Sequence, residues 1–85
     1  MLMNPGVVVL VIIFEGVRKV TLHATEAQAW RQLMEFVDRR WERRFGRAPS
    51  PIEPEARADQ FFRNNSDDLY AIIDADLSEL QEALS

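Results

Sequence analysis

Residues Val7 to Phe14 form an unbroken apolar run of eight, Val-Val-Val-Leu-Val-Ile-Ile-Phe, with no polar residue at either parity. Successive side chains of a strand point to opposite faces, so a half-buried strand alternates and a strand covered on both sides does not. The run is rich in β-branched residues and too short for a typical helix. It also falls far short of the roughly 20 residues that a spanning helix needs. It predicts a strand at the centre of a sheet, with both of its faces requiring cover.

The rest of the chain supplies the neighbours. Glu15-Gly16 is a turn signal, and Val17 to His23 alternates, so residues 7–23 read as a β-hairpin, although Glu is unusual at a first turn position. Thr25 and Gln28 form a capping box that opens a helix. Trp30, Leu33, Met34, Val37, Trp41 and Phe45 then draw one apolar stripe along residues 26–45, and Gly46 suits the helix end. Three prolines stiffen the 46–54 connection, and residues 55–63 read as a short helix burying Ala58 and Phe61. Residues 69–84 allow two readings, one helix or a strand followed by a helix. The strand, 69–75, is preferred because two strands alone are marginal, with a short capped helix over 78–84.

With the opening run central, the sheet order is second, first, third. The fold class is α+β: a small antiparallel three-stranded sheet packed against one long and one or two short helices. At 85 residues with no cysteine and one histidine, the chain reads as a single domain lacking disulfide or zinc support. One long helix covers one sheet face. The other needs the short helices or a second copy of the chain, and a homodimer is expected, drawing on Val7, Val8, Val9, Leu10, Val11 and Ile12.

Charge is unevenly spread. Residues 1–52 carry eight Lys/Arg and five Asp/Glu, a net +3, whereas residues 53–85 carry two and nine, a net −7, giving −4 in all. Arg39, Arg40, Arg43, Arg44 and Arg47 supply five of the ten basic residues within nine positions. On a helical wheel with Trp30 at zero, Arg39, Arg40, Arg43 and Arg47 fall between about 180° and 280°, with Phe36 at about 240° among them, while Arg44 lies at about 320° beside the apolar stripe. Like charges four apart repel, so this face calls for a negative counterpart. Arginine favours two-pronged contacts to carboxylate or phosphate. Two readings compete: the arginines pair with the chain's own acids while Phe36 packs under a second helix, or Phe36, Arg39, Arg40, Arg43 and Arg47 form a docking face. Trp30 and Trp41 lie on the core stripe.

Catalytic signals are thin. His23 has no evident partner, and there is no nucleophile elbow or glycine-rich phosphate loop. Asp74 and Asp76, with Asp67 and Asp68, are hard oxygen donors of the type that hold Mg²⁺ or Ca²⁺, but they lack the glycine and terminal Glu of a calcium loop; an acidic edge that discourages aggregation accounts for them equally. The expectation is a small non-catalytic interaction protein with no cofactor or metal, binding itself and an acidic protein surface in the cytoplasm. No signal-peptide pattern flanks the apolar run. A nucleic-acid accessory protein using the same helix is the alternative, opposed by the net −7 of residues 53–85. A small enzyme with a pocket between sheet and helix is the third.

Overall fold

The computed structural model describes residues 6–63 and 65–76. The opening apolar run forms β1 (Gly6–Phe14), followed by β2 (Val17–His23), helix α1 (Glu26–Phe45), helix α2 (Pro54–Arg63) and β3 (Leu69–Asp76). The sheet is antiparallel throughout, in the order β2-β1-β3, with the apolar strand at its centre as its two-sided pattern requires. The short helix expected over 78–84 lies outside the described residues.

Register assigns each side chain to a face. In an antiparallel pair, opposed residues point the same way. Val8, Leu10, Ile12 and Phe14 share one face with Tyr70 and Ile72, since Leu10 opposes Ile72 and Ile12 opposes Tyr70. Both helices pack on that face. Leu10, Leu33, Val37, Ala58 and Phe61 are all at most 1% exposed and form the centre of the core. α2 therefore joins α1 on one side of the sheet and leaves the second face of β1 to other cover.

The β1–β2 turn depends on distant contacts. Glu15 and Gly16 both have positive φ, 52° and 81°, the signature of a type I′ hairpin turn. Gly16 adopts this freely, whereas a glutamate there costs about 1–2 kcal/mol. Two contacts hold it: its N–H donates to Asp68 Oδ1 at 3.0 Å, and its carboxylate accepts from Arg43 at 3.1 Å. The helix caps are local. Thr25 Oγ1 accepts from the Gln28 N–H at 3.2 Å, and Gln28 Oε1 accepts from the N–H of Ala24 at 3.1 Å. Gly46 ends α1 at φ 65°, ψ −132°, outside the left-handed helical region but in a conformation that favours glycine, and its N–H donates to Glu42 O at 2.7 Å.

The proline-rich connection is tied down at two points. Trp41 Nε1 donates to Ala48 O at 2.8 Å. Arg57 donates to Pro51 O at 2.8 Å and Ile52 O at 3.0 Å, and its guanidinium also meets the Asp38 carboxylate at 3.1 Å. One side chain of α2 thus links α1 to the connection between the two helices.

Candidate functional site

The arginines of α1 divide by their helical angle. Arg44, nearest the apolar stripe, turns inward: its guanidinium donates to Phe61 O at 2.8 Å and to Asp68 Oδ2 at 2.9 Å, with side-chain exposures of 12% and 0% for the ion pair. It also lies over the rings of Phe61 and Phe14, 4.6 and 4.8 Å from their centroids. Asp68 accepts both this pair and the Glu15 N–H, so one buried carboxylate joins the hairpin turn, α1 and the approach to β3.

Arg39, Arg40 and Arg43 remain on the surface side. Arg40 folds back along its own helix, donating to Phe36 O at 3.1 Å and placing its guanidinium 3.8 Å from the Phe36 ring centroid. Phe36 is wedged edge-on against Phe14, with centroids 5.3 Å apart, and stacks near-parallel on Phe62 at 6.4 Å. Arg39 pairs with Glu35 at 3.2 Å and Arg43 with Glu15 at 3.1 Å, in both cases between side chains that are more than half exposed. Such pairs contribute about 0–1 kcal/mol and exchange readily for other carboxylates. Arg47 lies exposed in the turn beyond the helix end.

These groups line a groove between α1 and the edge strand β2. Its volume is about 380 Å³; Phe14, Phe36, Ile12 and Val17 provide apolar surface, Lys19, Arg40 and Arg43 provide cationic walls, and the Glu15 carboxylate, paired with Arg43, lines it as well. A hollow of about 270 Å³ adjoins it around Arg44 and Asn65, and one of about 90 Å³ adjoins it around Arg39 and Glu35; Arg40 borders all three. Of the residues expected to form a docking face, Phe36, Arg40 and Arg43 line the groove, Arg39 borders only the smallest adjoining hollow, and Arg47 lies apart. Lys19 and Val17 extend the site from β2. Their part in it was not evident from the α1 wheel, because it depends on α1 crossing the sheet beside that strand.

The other expected sites lie apart. A strand lends only every second residue to a face. Val8, Leu10 and Ile12, expected with their neighbours at a dimer contact, are instead in the chain's own core at 6%, 1% and 2% exposure; Val7, Val9 and Val11 point away from the helices, and of these Val9 is also buried, at 7%. The Asp67–Asp76 acids do not converge. Asp68 holds Arg44, the Asp67 N–H is bound by Asn65 Oδ1 at 2.9 Å, and Asp74 and Asp76 lie at the far end of β3, about 20 Å along the strand. Among the described residues no group of three or more His, Cys, Asp or Glu is placed to hold a metal ion. His23 Nε2 lies 2.8 Å from Thr21 Oγ1 at the end of β2. Among the described residues, the Tyr70 phenol is raised to about 12 by burial and by its hydrogen bond to Asp59. A larger hollow, about 560 Å³, lies at the Gly6–Asp76 end of the sheet, bordered by Asp74 and Asp76.

Among the described residues no helix is long and apolar enough to cross a membrane. No family model matches this chain, and neither a curated protein nor a solved structure matches it.

Proposed function

We propose that this chain is a small non-catalytic interaction protein that holds an acidic segment of a partner protein in the groove between α1 and β2. The observation that carries the reading is Arg40, stacked 3.8 Å from the Phe36 centroid and bordering both the groove and its two adjoining hollows. A guanidinium held by a ring and by a backbone carbonyl loses little freedom on binding and still has N–H donors for a carboxylate. Arg39, Arg43 and Lys19 add positive charge around it, and the exposed flanks of Phe14, Phe36 and Val17 accept an apolar anchor residue. Aromatic and arginine side chains are enriched at the centres of protein interfaces for this reason. A cytoplasmic setting belongs to the same proposal, and fractionation of a tagged chain tests it.

Fluorescence anisotropy with short Asp/Glu-rich peptides, each carrying one Leu or Phe, tests the groove. Binding is expected to weaken at least tenfold in Arg40→Ala, about 1.4 kcal/mol, and further in Arg39→Glu/Arg43→Glu. Peptides with the anchor changed to Ser should bind less well. Equal binding by wild type and Arg40→Ala refutes the assignment. Tight, steeply salt-dependent binding of random-sequence DNA through the same arginines replaces it with the nucleic-acid reading.

A further inference from the structure

We infer that the sheet face turned away from the helices is the contact surface between two copies of this chain. In register, Leu22, Val9 and Ile73 form one cross-strand row, Val20, Val11 and Ala71 the next, with Val7–Ala75 and Ile13–Leu69 completing the face. On the two outer strands Val20, Leu22, Leu69 and Ile73 are each about half exposed, at 54%, 58%, 45% and 49%, while on the central strand Val9 is buried at 7% and Val7, Val11 and Ile13 are half-buried. The charged member of the face, Arg18, sits opposite Ile13 at one corner, where an interface rim stays wet. An apolar surface this continuous, in contact with neither helix, marks an association site.

Size and shape select the occupant. Three strands at about 4.8 Å spacing and about 25 Å in length make a footprint of roughly 360 Å², so two such faces cover about 700 Å² in plan, the size of a small, concentration-dependent interface. Sheets cover sheets well, aligned within about 30°, and identical faces meet about a two-fold axis without requiring a second kind of partner. Nine residues, 77–85, follow Asp76 and include Leu77, Leu80 and Leu84. Any nine-residue helix is about 13 Å long, roughly half the length of the eight-residue β3, so a segment of that size offers less cover than a second copy. In the paired arrangement the helices lie outside, in four layers, and each dimer carries two outward grooves.

Mass in solution, by sedimentation or light scattering, is the test. Wild type should run at twice the 9.8 kDa of one chain. Leu22→Glu/Ile73→Glu, at half-exposed positions remote from the groove, should run as a folded single chain, and a chain cut after Asp76 should remain double. A wild type of single mass overturns the inference, as does a double variant that stays paired. A single-mass wild type that begins to associate when cut after Asp76 identifies residues 77–85 as the cover instead. Should the double variant not fold, wild-type Tm decides: it falls on about 100-fold dilution if two copies pair and stays constant if they do not.

Discussion

Asp68→Ala should be the most damaging single polar substitution in the described chain. The carboxylate is fully buried and accepts from Arg44 at 2.9 Å and from the Glu15 N–H at 3.0 Å. Its removal leaves a guanidinium of 12% exposure without its counterion, and leaves the positive-φ Glu15 without one of its two anchors. Breaking a buried pair on one side costs about 3–5 kcal/mol. Arg44 keeps Phe61 O and two ring faces, so the lower end, about 3 kcal/mol, is expected. A domain of this size has roughly 4–13 kcal/mol in total, so the loss is large. Urea unfolding followed by tryptophan fluorescence measures it, and the midpoint should fall by roughly 2–3 M. Arg44→Met added to Asp68→Ala should recover more than about 1 kcal/mol, because no unpaired charge then remains inside. Arg43→Ala, which breaks the exposed pair to Glu15, should cost under about 0.5 kcal/mol. An Asp68→Ala midpoint no lower than that of Arg43→Ala would refute the reasoning.

Two further outcomes follow from single contacts. The chain has one tyrosine, so the ultraviolet absorbance of tyrosinate reports Tyr70 alone. In the unfolded chain the phenol ionises near 10 and in the fold near 12, so the stability it contributes is complete below pH 10 and is lost as pH rises through 10–12; Asp59→Asn should bring the folded titration back toward 10, and a wild-type titration already at 10 contradicts the contact. Trp41→Phe removes the 2.8 Å bond to Ala48 O, a net loss of about 1 kcal/mol, and should speed tryptic cleavage after Arg47 several-fold; an unchanged rate would mean the connection is held elsewhere.

The architecture could be read from the chain because its strongest signals are local. Apolar residues at both parities put β1 at the centre, and the capped stripe from Thr25 to Phe45 fixed α1. What escaped was long-range. Glu15 is a poor turn residue by its own propensity, and nothing near it announces that Asp68, 53 positions on, will hold its N–H. The wheel placed Arg44 beside the core stripe, so its inward role had a signal, but its partner had none. Phe36 fell among the arginines because the wheel was measured from the core stripe alone; α2 packs on that side and makes the position half-buried. Arg57 is one of two basic residues in the acidic 53–85 segment, and no sequence signal names its partners Pro51 O, Ile52 O and Asp38.

The order β2-β1-β3 also has a consequence for biogenesis. The strand made first gains its hairpin neighbour at once, but its other edge stays unpaired until the last strand has been translated. From His23 to Asp76 that takes about 3–11 s at roughly 5–20 residues per second. Through that interval the nascent chain exposes a long, uncharged β edge, the feature most prone to pair with a stranger. Slow codons before Leu69 should therefore lower soluble yield in cells more than slow codons after Asp76.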